Sequence, residues 1–188
     1  MQRAAEDAGL PVLDDDTIKN IIGLGLPEAI HALYPSIMST QEEALRLHYV
    51  DHFVNDDAVP SPFFPGVMDT LENLRMQGHT LTVATGKSRK GLLRVWENLE
   101  MEAFFHGSRC ADETASKPHP LMLEQLLEEF TVPAEEAVMV GDTEYDMAMA
   151  HALGMPRIAV SYGAHHIDRL KTFDPVLCVD EFGAILDW

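Results

Sequence analysis

The hydrophobic positions of this 188-residue chain follow two patterns that meet near residue 60. Up to that point apolar residues recur at spacings of three and four, the period of a helix with one buried face. Ala4, Ala5, Ala8 and Leu10 read as the tail of one amphipathic helix. Thr17–Leu24, Pro27–Leu33 and Gln41–Val54 read as three more, with Pro27 and Pro35 as boundaries, and no stretch there reads as a strand. "PSPFFPG", Pro60 to Gly66, then interrupts the pattern with prolines and a glycine, a composition that suits a hinge.

Beyond Gly66 helical and extended patterns alternate. Helices are predicted over Val67–Met76, Ser88–Leu99, Leu121–Phe130 and Glu144–Leu153, with Gly78 and Gly154 as stops. Strands are predicted over His79–Ala84, Ala137–Val140, Arg157–Val160 and Val176–Val179, and a short one beginning at Phe104–Phe105. This alternation argues for an α/β fold, a parallel sheet covered on both faces, preceded by an all-helical module. The expected division is 1–61 for the helical part and 62–188 for the sheet-containing part. Ligands of such sheets bind beyond the carboxyl ends of the strands, so the turns after the strands are where chemistry is expected.

Composition narrows the function classes. Thirteen basic residues against thirty-one acidic give a net charge of −18, which repels nucleic acid and anionic membrane surfaces. A small anionic substrate would then need local donors or a metal ion. No run approaches the roughly 18 apolar residues of a membrane span, and "MQRAAEDA" at the start lacks the apolar core of a signal peptide, so a cytoplasmic protein is expected. Cys110 and Cys178 are too few and too far apart for a disulfide framework or a zinc site, and are expected to be free thiols.

Three turns carry candidate chemistry. "TGKS", Thr85 to Ser88, follows the first strand and opens a helix. It is not a P-loop, because the position that needs the earlier glycine is Leu81. A hydroxyl, a glycine and free helix N-terminal N–H groups still suit an anion; the alternative is an ordinary capped turn. "SKPHP", Ser116 to Pro120, sets Lys117 just ahead of a helix, as a solvated lysine or as a counter-charge for phosphate or carboxylate. In "VMVGDTEYD", Val138 to Asp146, a hydrophobic strand runs into Gly141, Asp142 and then Asp146, a pair of hard oxygen donors suited to Mg²⁺, or alternatively helix-capping acids.

Strand-Thr, Lys-Pro and strand-Gly-Asp in this order resemble the haloacid dehalogenase-like superfamily of hydrolases. Thr85 matches its second motif, Lys117 its third and "GDTEYD" its G-D-x-x-x-D fourth. "FPG" (Phe64 to Gly66), "ADE" (Ala111 to Glu113) and the helical region ahead of the sheet extend the likeness to the phosphoglycolate phosphatase-like subgroup, whose helical cap precedes a Rossmann-like core. The resemblance implies a Mg²⁺-dependent phosphatase of a small phosphorylated metabolite, acting through an aspartyl-phosphate. Thr85 and Gly86 would hold phosphoryl oxygens, Lys117 would offset charge, Asp142 would bind Mg²⁺ directly or through water, and Asp146 would orient that shell. A phosphomutase of the same superfamily, or a non-catalytic phosphate-, Mg²⁺- or partner-binding protein, are the alternatives.

The family's first motif, D-x-D-G-T after a hydrophobic strand, supplies the nucleophile and lies ahead of the cap. "LDDDT", Leu13 to Thr17, lacks the glycine and a preceding strand, and falls inside the helical region. These acids are expected to start a helix at Thr17, with Asp15 or Asp16 near the N-cap. The expectation is therefore an N-terminally shortened chain without its nucleophile or its first core strand, which would leave an apolar slot between the strand before Thr85 and the strand before Gly141. His165 and His166 are read as loop or helix-start residues, Met139, Met147, Met149 and Met155 as packing, and Arg89, Lys90 and Arg94 as a solvated face.

Overall fold

A computed structural model describes residues 1–56 and 62–188. The first part is helical: α1 (Gln2–Asp7), α2 (Asp15–Lys19), α3 (Leu26–Leu33) and α4 (Ser39–Asp56). Ala4 and Ala5 of α1, Ile30 of α3 and Leu45 of α4 are fully or almost fully buried together, so small α1 side chains let that helix lie close on α4. The α2 helix starts one residue earlier than the nearest reading of "LDDDT": its N-cap is Asp14, which accepts the Thr17 backbone N–H at 2.9 Å and the Thr17 hydroxyl at 2.8 Å. Asp15 and Asp16 occupy the first turn, where negative charge favours the helix dipole. The helix stops at Lys19 rather than reaching Leu24, and the chain crosses to α3 through Gly23, whose φ of +107° an L side chain rarely adopts.

From residue 67 the order is α5 (Val67–Met76), β1 (Thr82–Thr85), α6 (Arg89–Leu99), β2 (Gly107–Cys110), α7 (Leu121–Phe130), β3 (Met139–Gly141), α8 (Glu144–Ala152), β4 (Arg157–Val160), α9 (Ile167–Lys171) and β5 (Leu177–Val179). Of the expected hinge, Pro60 to Gly66, the residues Pro60 and Ser61 lie outside the described residues. All pairings are parallel: β1 with β2 (Thr82 opposite Gly107), β3 with β4 (Met139 opposite Arg157) and β4 with β5 (Ile158 opposite Leu177). Phe104 and Phe105 do not begin a strand. Phe105 stacks on Trp96 of α6 and meets Phe104 edge-on, while Arg75 of α5 lies over Phe104. The strand starts at Gly107, where a Cβ would come within 2.8 Å of the Phe130 ring.

The strands form two sheets, β1-β2 and β3-β4-β5, and among the described residues no ladder joins β1 to β3. The break falls between the strand before Thr85 and the strand before Gly141. Strand burial reflects it: β4 is buried at every position, while the apolar Val83 and Ala84 of β1 and Met139 and Val140 of β3 are only half-buried. What spans the break is a helix layer. Met122 and Leu123 of α7 pack with Met149 and Ala150 of α8 and with Met155, and Ala84 of β1 and Met139 of β3 lean on that same cluster. Met147 and Met149 are fully buried, as packing residues.

Candidate active site

The carboxyl ends of β1 and β3 meet at one place. After β1, Thr85 Oγ1 accepts the Lys87 N–H at 3.1 Å across Gly86, and Ser88 caps α6 by accepting the Gly91 N–H at 3.2 Å. After β3, Thr143 caps α8 in a reciprocal box with Asp146. Gly141 has to be glycine here, since a Cβ would lie 2.3 Å from that of Asp146.

Lys117 links the two halves. It is 7% exposed, and its Nζ donates to Asp146 Oδ1 at 2.6 Å; Asp146 is 3% exposed. Its other oxygen, Oδ2, accepts the Thr143 backbone N–H at 3.1 Å and the Thr143 hydroxyl at 2.7 Å. Asp146 is thereby hydrogen-bonded on both oxygens, to Lys117 and to the Thr143 turn. Asp142 is different. Its Oδ2 accepts the Ala164 N–H at 2.8 Å, with Gly163 leaving room for the carboxylate, and no hydrogen bond to Oδ1 is found among the described residues. A hard divalent cation fits this donor set on Asp142 alone. Because no group of three or more His, Cys, Asp or Glu side chains suited to a metal occurs among the described residues, such an ion would keep several waters, as Mg²⁺ prefers.

The structure therefore brings Thr85, Gly86, Lys117, Asp142 and Asp146 to one end of the two sheets. Sequence reasoning passed over several neighbours. Asn20 reaches the core, where its carbonyl accepts the Tyr145 hydroxyl at 2.7 Å and its side-chain oxygen accepts from Arg169. Arg169 is itself held by Glu144 at 2.6 Å, a contact that raises the guanidinium pKa. Ser116 Oγ accepts the Gly25 N–H at 2.7 Å in a buried contact. Arg89 is not a solvated side chain: it donates to both oxygens of Glu113 and to Ser108 Oγ, with its backbone N–H on Asp112. Arg94 and Lys87 both lie over the Phe53 ring of α4, at 5.0 and 4.9 Å. The alternation of polar residues on α6 carried no signal for these contacts, which depend on partners distant in sequence.

His166 caps α9, as a helix-start residue. His165 is buried, its Nδ1 accepting the Glu144 N–H at 3.1 Å, and burial followed by the nearby Arg169 charge pulls its pKa down. Cys110 and Cys178 are unpaired, the first buried and the second exposed.

Comparison with known proteins decides the family. A model of haloacid dehalogenase-like hydrolases matches residues 1–160. The chain belongs to that family. Among its relatives, a protein of Dickeya dadantii named "Probable phosphatase IndB" is 30% identical over 187 residues, spanning 97% of this chain and 81% of that protein. A phosphoglycolate phosphatase of Vibrio parahaemolyticus is 27% identical, spanning 98% of this chain and 85% of the relative. The fold of the crystal structure of a predicted phosphoglycolate phosphatase from Haemophilus somnus superposes with a TM-score of 0.88 at 22% identity, covering 99% of this chain and 87% of the other. The haloacid dehalogenase-like chain thus sits among the phosphoglycolate phosphatase-like members, with the α/β fold that its alternating pattern announced.

Proposed function

We propose that this chain carries the phosphate- and Mg²⁺-binding machinery of a small-phosphomonoester hydrolase. The observation that supports the reading is the buried Lys117–Asp146 pair, which fastens the segment after β2 to the Asp142–Asp146 turn after β3. Two of the three Lys117 ammonium donors remain for an anion facing β1, and Thr85 with the Gly86 backbone would hold phosphoryl oxygens. Asp142 would hold Mg²⁺ together with water, and Asp146 would keep Lys117 and the turn in place. Mg²⁺ bound there would neutralise charge on the phosphoryl group.

The family reaction through an aspartyl-phosphate needs an attacking carboxylate after a hydrophobic strand, and no D-x-D-G-T run occurs in these 188 residues. The proposed activity of this chain alone is therefore binding without turnover. Residues 1–61 are proposed as a cap over a core of residues 62–188, in the service of a small phosphorylated metabolite. A cytoplasmic setting is supported by the two unpaired cysteines; among the described residues, no helix is long and apolar enough to cross a membrane.

The test is Mg²⁺-dependent hydrolysis of an aryl phosphate and, in parallel, binding of inorganic phosphate by the 188-residue chain, with EDTA and Asp142→Ala as controls. Phosphate binding that both controls weaken, without turnover, is the expected result. Turnover lost in both controls would place a nucleophile within these residues and make Asp14, Asp15 and Asp16 the next to change. Absence of phosphate binding by the folded chain would remove the reading.

A further inference from the structure

The Thr85–Gly86 turn follows β1, whereas Lys117 stands on the loop after β2, and a compact polar cluster joins the two segments. Arg89, the first residue of α6, donates from Nε to Glu113 Oε1 at 2.7 Å and from Nη2 to Glu113 Oε2 at 2.6 Å. Its Nη1 donates to Ser108 Oγ at 2.7 Å, and Nη2 also reaches the Ser108 carbonyl at 3.3 Å. The Arg89 backbone N–H goes to Asp112 Oδ1 at 2.9 Å, and the Ala111 N–H goes to the Lys87 carbonyl at 3.1 Å. Glu113 Oε2 accepts the Cys110 N–H at 3.3 Å as well, so the same carboxylate closes the turn at the end of β2. The turn after β1 is thus bonded to the turn after β2 through side chains and backbone alike. Four of the five guanidinium N–H groups are engaged, which leaves Arg89 little to offer a bound anion. The Arg89 hydrogen bond holds the Glu113 carboxyl below its usual range, so the fork stays ionised.

We propose that the Arg89–Glu113 fork is a positioning element of the phosphate site, which sets the Thr85–Gly86 turn against Lys117 without touching the anion. The proposal rests on the reading of that turn and Lys117 as the phosphate site. Two planar groups joined at two points fix direction as well as distance, and a lysine at 89 could supply only a point charge. Lys117 is held separately by Asp146, so loss of the fork would let the β1 turn shift while the ammonium stays. Contacts to one anion from two segments then fall out of register, and such contacts tolerate only about 0.5 Å of error.

Inorganic phosphate is titrated into the 188-residue chain and into Arg89→Met, Arg89→Lys and Arg109→Met, with the Gly86 amide followed by NMR. Mg²⁺ is titrated separately, with the Asp142 amide as reporter. Arg109 is the control: it also lies on β2, but it donates to Gln125 and pairs with Glu129, both on α7. Arg89→Met and Arg89→Lys should each weaken phosphate by about tenfold, the scale on which removing an orienting partner weakens a ligand site. Both should leave the Mg²⁺ midpoint in place, and Arg109→Met should move neither. Glu113→Gln keeps the side-chain volume and one acceptor for the fork, and should weaken phosphate less than Arg89→Met, which covers the case of poorly folded Arg89 variants. Phosphate and Mg²⁺ weakened together, or an equal phosphate loss in Arg109→Met, would mean general loosening and overturn the positioning role. Full phosphate binding by Arg89→Lys would overturn the need for a fork. Phosphate binding unchanged in every Arg89 and Glu113 variant would overturn the proposal while leaving the phosphate site standing. Phosphate bound by none of the proteins, the parent chain included, would overturn both.

Discussion

Replacing Lys117 by Met tests the central link most directly. The ammonium sits 2.6 Å from Asp146 Oδ1, with the two side chains only 7% and 5% exposed, so water does little to screen either charge. Removing one member of a buried pair strands the other, at a cost of about 3–5 kcal/mol. Thr143 continues to give two hydrogen bonds to the second Asp146 oxygen, which moderates the loss toward the lower end, about 3 kcal/mol. Against a total stability of about 5–15 kcal/mol that is a large fraction. Urea unfolding followed by far-ultraviolet circular dichroism should show the midpoint falling with little change in slope. Lys171→Met, which removes an exposed partner of Asp168, is the control and should move stability by less than about 0.5 kcal/mol. A loss for Lys117→Met no larger than that of the control would refute the assignment of a buried, mutually dependent pair. Adding Asp146→Asn completes a double-mutant cycle, in which the two losses should fall well short of additive.

Three other outcomes are expected. Asp14→Ala removes both acceptors of Thr17 and should lower the midpoint in the same urea measurement, with Asp15→Ala lowering it less. Gly107→Ala drives a methyl to 2.8 Å from the Phe130 ring and should destabilise by about 1–3 kcal/mol, an effect that Phe130→Leu in the same chain should partly relieve. Burial pushes the Cys110 thiol up from 9.0 to about 11, so a thiol reagent at pH 8 should label Cys178 quickly and Cys110 only on unfolding. Because the folded state holds the Cys110 proton more tightly, its contribution to stability is intact below pH 9.0 and is lost as pH rises through about 11. Unfolding midpoints should fall over that window and fall less in Cys110→Ala.

How much of this was legible depends on how local each signal is. Val67–Met76, Leu121–Phe130 and Arg157–Val160 match their helices and strand residue for residue, because prolines, glycines and apolar period mark both ends within a few positions. Thr85, Lys117 and Asp142 stand at the strand ends and ahead of the helix where the sequence pattern put them, because in parallel sheets those turns are marked by a change from apolar to polar residues. The misreading at Phe104–Phe105 has the opposite origin. Aromatic residues favour strands only when their faces meet a sheet, and here the rings are claimed by Trp96 and Arg75 on helices. Asn20 and Tyr145, 125 residues apart, had no sequence pattern to join them; the segment around Asn20 read as the middle of a helix. Arg89 looked like surface because its acceptors, Ser108 and Glu113, belong to another strand and the turn after it.

The separation of β1 from β3 changes what the middle of this molecule is. In an unbroken parallel sheet the innermost strands are bonded on both edges, and their peptide groups open only with the whole fold. Here it is β4, toward one side, that has neighbours on both edges and every residue buried, while β1 and β3 each turn an unladdered edge inward. The most deeply buried strand therefore belongs to the three-stranded sheet, and what joins the two sheets is the α7–α8 contact and the Lys117 ammonium rather than a backbone ladder. Any group seated at the carboxyl ends of β1 and β3 sits on that seam, so its grip depends on how the halves are aligned as well as on the side chains that touch it.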